Sequence, residues 1–378
     1  MTKPIYLDYN ATTPLDVRVF KEMEPWFTSE FGNSGSRTHE YGQRAKRAVD
    51  KSRNQVASIL DADPSEIIFT SGATESNNIV LLGLSKYGEK INKKHIISTV
   101  IEHKSVLEPL NYLSNYGFDV DLAPVKPDGC VDPETIKKLI RDDTLLISIM
   151  HSNNETGVIQ PLKEIQGLIL GRDILFHSDA AQTYGKEVDE LKGIPLDFIS
   201  ISGHKIYGPK GIGALYIRRK SGHKNPLEPI YFGGGQEKKL RPGTLPVPLI
   251  VGLGITSEIA SNEYSQRNKS AKAIKEKFLK DISEINCKIN GNISCTQNHI
   301  ISITFPGIDS EALMMMLGEN MAISNGSACT SDTYSPSHVL LSMGLNEDDA
   351  NSTIRFSWGV GIDSIDCKKL IDKINTIS

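Results

Sequence analysis

A chain of 378 residues is too long for one small core and fits about two domains. Its composition, 39% hydrophobic and 23% charged, is that of a soluble globular protein, and 46 acids against 42 Lys and Arg give a net charge of -4, so no overall basic field draws in nucleic acid. Cys130, Cys287, Cys295, Cys329 and Cys367 are scattered without a Cys-x-x-Cys pair, which argues against a disulfide framework and against a metal site. The N-terminus lacks the apolar core of a signal peptide and no apolar run approaches membrane-spanning length, so the expectation is a cytoplasmic protein without membrane contact.

In chain order, Leu7–Pro14 reads as a short strand entering a polar turn, and Phe31–His39 as a loop of small residues. Ala45, Ala48, Val49, Val56 and Ile59 form an apolar stripe that predicts a scaffolding helix over Glu40–Leu60. Ile67–Thr70 reads as a strand, and Ser71-Gly72-Ala73-Thr74-Glu75 opens a helix behind it. Backbone N–H groups and hydroxyls collect around one point there, which suits a phosphate. Strands and helices then alternate, and four apolar runs stop in turn at His103, Asn154, Asp179 and Lys205. In an open α/β sheet ligands bind beyond the carboxyl ends of the strands, so this pattern predicts one rim carrying all four side chains.

The last of these runs carries the most weight. Phe198, Ile199 and Ile201 read as a buried strand that breaks into Ser202-Gly203-His204-Lys205, delivering one amine into a small-residue loop. A lysine so placed can hold a carbonyl cofactor as a Schiff base if its surroundings lower its pKa.

Gly213–Ile217 predicts another strand, and Gly233–Gln236 with Arg241–Thr244 an ordered, non-helical loop. Two helices follow, over about Val247–Tyr264 and Lys269–Ile285; the second presents Lys269, Lys272, Lys275, Lys277 and Lys280 as a solvated face. The domain change falls near Ile259, giving a large domain of residues 14–258 and a small one of 1–13 with 259–378. In the small domain Met314, Met315 and Met316 read as core filler, and Ile354–Gly359 as a strand with a buried Arg355. Cys329 sits in a run of small and polar residues that predicts a mobile loop, whereas the other four cysteines read as inert and buried.

The motifs Thr70-Ser71-Gly72-Ala73-Thr74-Glu75-Ser76, Asn153-Asn154-Glu155-Thr156-Gly157, Ser202-Gly203-His204-Lys205 and Gly326-Ser327-Ala328-Cys329-Thr330-Ser331 are specific in combination. Over nearly the whole chain the sequence resembles the pyridoxal phosphate (PLP)-dependent cysteine desulfurases of the nitrogen-fixation and iron–sulfur-cluster type. The resemblance implies the α/β fold of type I PLP-dependent transferases (aspartate aminotransferase-like): a large α/β domain with a mostly parallel sheet, a smaller α+β domain, and a homodimer. It implies that Lys205 holds PLP and moves protons at the substrate α-carbon. Asp179 would face the pyridine nitrogen, whose pKa an opposite charge raises. Gln182 would bond the phenolic oxygen with Asn154 nearby, and His103 would stack on the ring and serve as acid or base.

By the same resemblance Ala73, Thr74, Ser202 and His204 would hold the phosphate, joined by Thr244 from the second subunit, and Gly203 belongs to the cofactor-binding set. Arg355, supported by Asn33, would fork onto the α-carboxylate of the amino acid. Cys329 would take sulfur from L-cysteine as a persulfide, leaving L-alanine, and pass it to an acceptor protein. No cation neighbours Cys329 in sequence, so its activation would come from groups it meets at the site. Selenocysteine lysis or transamination on the same scaffold would make Cys329 incidental, and a sulfur-relay or assembly subunit would use the fold without catalysis. The joint presence of Lys205, Asp179, His103, Arg355 and Cys329 favours the desulfurase. Ser34 stands where the family commonly has Pro, and Pro242 where it has Ser or a similar residue. With Asn33–Arg37, His39–Gly42 and Arg241–Pro246, these forms look closer to the branch that supplies sulfur for DNA phosphorothioation. With few residues after Arg355, where family members carry a longer extension that docks iron–sulfur scaffolds, the expectation is against that partnership.

Overall fold

The computed structural model describes residues 3–220, 222, 225–326 and 335–377; Cys329 therefore lies outside the described residues. In chain order the strands are β1 (Ile5–Tyr6), β2 (Ile67–Thr70), β3 (His95–Thr99), β4 (Asp119–Ala123), β5 (Thr144–Ser148), β6 (Leu175–Asp179), β7 (Phe198–Ser202), β8 (Gly213–Ile217), β9 (Lys288–Asn290), β10 (Ile300–Thr304), β11 (Met321–Ala322) and β12 (Thr353–Ser357).

Seven of them form the main sheet in the order β2-β8-β7-β6-β5-β3-β4. β4, β3, β5, β6 and β7 run parallel, while β8 is antiparallel to both of its neighbours, β7 and β2. Parallel strands are covered by helices on both faces; β3, β5 and β7 are buried at every residue, apolar Ile, Leu and Phe mixed with buried polar residues such as Thr144, Ser148 and Ser200. Successive side chains go to opposite faces: Ile96, Leu146 and Phe198 enter one core, and Ile97, Ile147 and Ile199 the other. Because β2 is parallel to β7, the carboxyl ends of β2, β3, β5, β6 and β7 share one edge of the sheet. Every catalytic candidate from the large domain sits on that edge or on the turn just past it.

A separate core gathers Leu7, Phe278, Phe305, Phe356 and Trp358 around the antiparallel sheet β12-β10-β9. The parallel pair β1-β11 brings the N-terminal segment to it, Ile5 opposite Met321. The two predicted helices of residues 247–285 are one helix of 35 residues, Val247–Asp281. Its polar middle, Ser261–Asn268, looks like a break, but no Gly or Pro interrupts it. The helix passes there from the core that holds Ala260 to the one that holds Ala271, so no apolar stripe is needed.

Three smaller expectations are corrected. Lys275 is buried, because it shares a helix face with Ala271, Ile274 and Phe278, and its ammonium donates to Thr296 Oγ1 at 2.7 Å and to the Gln297 carbonyl at 2.9 Å. Met315 is 83% exposed, since Leu313 and Leu317, one turn apart, fill the inward face of the helix Ser310–Leu317. Among the other cysteines only Cys367 is buried; Cys295 is exposed, and Cys130 and Cys287 are half-buried. Among the described residues no helix is long and apolar enough to cross a membrane.

Candidate active site

A cavity of about 500 Å³ opens at the carboxyl edge of the main sheet, lined by His103, Asn154, Asp179, Gln182 and Lys205, with Arg355 from β12. The four predicted strand stops thus meet in one place. Asp179 ends β6, its carboxylate accepting from Asn77 Nδ2 and from the Ala181 backbone N–H, at 2.8 and 2.9 Å. Asn77 gives its other hydrogen to Ser105 Oγ at 2.8 Å, and Ser105 in turn bonds His103 Nδ1 at 2.8 Å. Ser105 Oγ accepts from Asn77, so its proton points at His103 Nδ1, which also accepts from the Ser105 N–H. His103 Nδ1 is therefore an acceptor, and in the neutral ring the proton rides on Nε2. Burial lowers the His103 pKa, against the pull of Asp179, so the ring is neutral at pH 7.

Lys205 projects from the turn after β7, and its Nζ donates to the carbonyls of Asn10 and Ala11 at 2.5 and 2.8 Å. The N-terminal segment is pinned over that turn: the Thr13 N–H and hydroxyl donate to the His204 carbonyl at 3.0 and 2.9 Å. The helix Ala73–Gly83 starts at the rim without a side-chain cap, leaving its first N–H groups directed at the space that Thr74, Ser202 and His204 also line. Gly213 allows this approach, because a Cβ there would stand 2.2 Å from the Ile201 carbonyl oxygen and 2.6 Å from Gly72 Cα. An uncapped helix start ringed by hydroxyls fits a phosphate. A lysine and a carboxylate on the same cavity fit the aldehyde and the ring nitrogen of PLP.

Arg355 is 2% exposed. Its Nη2 meets Asp8 Oδ1 at 2.6 Å and its Nη1 donates to the Asn154 carbonyl at 3.0 Å, while Nε has no partner among the described residues. Asn10 Nδ2 donates to that same carbonyl at 3.2 Å, and its Oδ1 is likewise buried without a partner. Gly203 is buried, its N–H given to the Ile212 carbonyl, and forms the turn without lining the cavity. Thr244 and Asn33 are exposed and do not line the cavity within one chain.

Sequence reasoning missed Asp8, Asn10, Asn77, Ser105 and Glu102. Glu102 is fully buried beside His103 and accepts from the Met150 N–H and from Thr99 Oγ1, with burial pushing its pKa up to about 8. His177, under Asp179 on β6, is clamped between Ser148 Oγ at 2.8 Å and Ser200 Oγ at 3.0 Å. Burial takes its pKa from 6.5 down to about 4. The unfolded chain therefore binds the extra proton first. This stability is complete above pH 6.5, and on the order of 3 kcal/mol is lost as pH falls toward 4. Urea unfolding at pH 7.5 and pH 5 is expected to show a loss that is smaller in His177→Gln; equal losses would refute the assignment.

Comparison with known proteins agrees with this geometry. The family model "Aminotransferase class-V" matches residues 5–370. "Cysteine desulfurase IscS" from Rickettsia akari is 47% identical over 364 residues, covering 95% of this chain and 87% of that protein; the Rickettsia prowazekii protein of the same name is 48% identical over the same length. Among solved structures, a "NifS-like protein" superposes with a TM-score of 0.89 at 37% identity, covering 99% of this chain and 98% of that one. DndA from Streptomyces lividans gives a TM-score of 0.82 at 47% identity, covering 92% and 98%. A structure described as SspA in complex with cysteine gives 0.81 at 39% identity, covering 94% and 98%. The chain therefore belongs to the class-V aminotransferase family and, within it, to the PLP-dependent cysteine desulfurases.

Proposed function

We propose that this desulfurase converts L-cysteine to L-alanine in the cavity described above, stores the sulfur as a persulfide on Cys329, and hands it to an acceptor protein. The observation that carries the reading is the convergence of Lys205, Asp179, His103 and Arg355 on one cavity. Lys205 would hold the aldehyde of PLP, Asp179 its ring nitrogen, Gln182 with Asn154 nearby its phenolic oxygen, and Ala73, Thr74, Ser202 and His204 its phosphate, with Gly203 shaping the turn behind them. When bound, PLP supplies an electron sink for the pair released at the substrate α-carbon.

The chain's own residues do the rest. Arg355 binds the α-carboxylate, its Nε having no partner among the described residues, and any support from Asn33, which lies outside the cavity of one chain, would come from the second subunit. Lys205 takes and returns the α-proton. His103, neutral with its proton on Nε2, serves as acid. The Cys329 thiolate attacks the substrate sulfur: an S–S bond forms, the C–S bond breaks, its electron pair goes to the substrate carbon, and a proton completes the methyl group of alanine. The net change is cysteine plus Cys329 thiol to alanine plus Cys329 persulfide.

A homodimer bringing Thr244 of the second subunit to the phosphate, action in the cytoplasm, and a division into residues 14–258 and 1–13 with 259–378 belong to the same reading. Leu7 and Ala271 in one core support two domains so divided, with Ala260, still in the large core, putting the change a few residues past 259. The loop forms around Ser34 and Pro242 favour DNA phosphorothioation as the sulfur's destination, while the identities to DndA and to the IscS proteins, 47% to 48%, are alike. The acidic net charge of -4 favours an acceptor protein over direct DNA contact.

Single-turnover reaction with L-cysteine, without reductant, tests the scheme by mass spectrometry of the Cys329 peptide and assay of alanine. One added sulfur per alanine is expected, and none in Cys329→Ala. Alanine or transamination products at the wild-type rate in Cys329→Ala would refute the persulfide and favour another PLP reaction.

A further inference from the structure

Behind the active-site cavity lies a second cleft of about 250 Å³, walled by Tyr207, Ile274, Trp358, Lys186 and His299. Gln182 lines the first space and Lys186 the second, so their contact is part of the partition between them. Lys186 Nζ lies 3.4 Å from Gln182 Oε1 and 3.2 Å from His299 Nε2.

A lysine ammonium only donates, so both partners must present acceptors. His299 does so at Nε2: burial drives its pKa well below the usual value, which leaves the ring neutral with its proton on Nδ1. Gln182 does so with its carbonyl oxygen. Its NH₂ group must then point the other way, and there it donates to the Asn10 carbonyl at 3.0 Å. Lys205 Nζ donates to that same carbonyl. Burial and the charge of Lys205 bring Lys186 itself down to about pKa 7. Even as a neutral amine it keeps two N–H groups, enough for both partners.

We propose that Lys186 is a positioning residue: by pinning the carbonyl end of Gln182 it fixes a hydrogen-bond donor toward the phenolic oxygen of bound PLP, and His299 holds Lys186 in place. Without Lys186 only the Asn10 carbonyl, among the described residues, orients the carboxamide, which can then turn over and offer that oxygen its own acceptor end, and a phenolate repels that end. The proposal rests on the reading of Gln182 as the ligand of that oxygen, and the experiment separates the two.

Full-length protein loaded with PLP is compared as wild type, K186M, Q182L and the double variant, reading the absorption maximum of bound PLP and its dissociation constant. Methionine keeps the unbranched stem of lysine and removes the donors. Q182L is expected to shift the maximum and weaken PLP about fivefold, the loss of one net hydrogen bond. K186M shifts both in the same direction, and the double variant goes no further than Q182L alone. A wild-type spectrum and affinity in K186M beside a shifted Q182L overturns the proposal, as do additive effects in the double variant. A wild-type Q182L overturns the reading of Gln182, and the proposal with it. If K186M does not fold, H299L removes the acceptor that holds Lys186: the same shift at smaller size supports the proposal, and no shift overturns it.

Discussion

Replacing Lys205 with alanine is expected to lower alanine release from L-cysteine by about 10³-fold while leaving the chain folded. The size follows from the two roles proposed for it being lost together, the covalent hold on the cofactor and the proton transfer at the α-carbon. The folding expectation follows from its surroundings. Lys205 is half-buried on a solvent-reaching cavity, and its amine bonds two backbone carbonyls, of Asn10 and Ala11, that water in the cavity can take over. Coupled assay of alanine, the spectrum of protein-bound PLP and thermal unfolding check the three parts. Turnover within tenfold of wild type would remove Lys205 from the chemistry.

Arg355 is expected to fail in two separable ways. Arg355→Lys keeps a charge but loses the planar fork, so KM for cysteine rises and kcat/KM falls by about 10²-fold, with kcat less affected. Arg355→Ala also leaves Asp8 without its cation. Both side chains are largely shielded, 3% and 19% exposed, so breaking the pair costs about 3 kcal/mol, the low end for a buried ion pair because Asp8 retains some water. Steady-state kinetics and urea unfolding read the two effects independently. A lysine variant with unchanged KM would detach Arg355 from the substrate carboxylate.

The strand stops were legible for a physical reason. A strand buried on both faces is rich in apolar residues, so Ile96–Ile97, Leu145–Ile147 and Phe198–Ile201 stand out, and so does the polar segment that follows each run. Asp8, Asn77 and Ser105 had no such signal. Asp8 and Asn77 do their work on distant partners, Asp8 reaching Arg355 across 347 positions and Asn77 reaching Asp179 across 102, and Ser105, two residues from His103, reads as an ordinary residue of a helix start. The long helix was misread because its solvated middle needs no apolar period where it crosses between cores. Lys275 was misread because its charge hid a position that neighbours Ile274 and Phe278 had already marked as inward.

The pairing of β1 with β11 and of Asp8 with Arg355 bears on how the molecule is made. On the ribosome, residues 67–217 can complete the main sheet as they emerge, since all its strands lie within that span. Ile5 has no Met321 to pair with, and Asp8 no Arg355, until nearly the whole chain has been synthesised. The first residues translated therefore wait for almost the last, and closing a loop of that length is entropically costly. A nascent chain stalled before residue 355 has the strands that carry Asp179 and Lys205 but not Arg355, so truncated products of translation lack the residue proposed to take the substrate carboxylate.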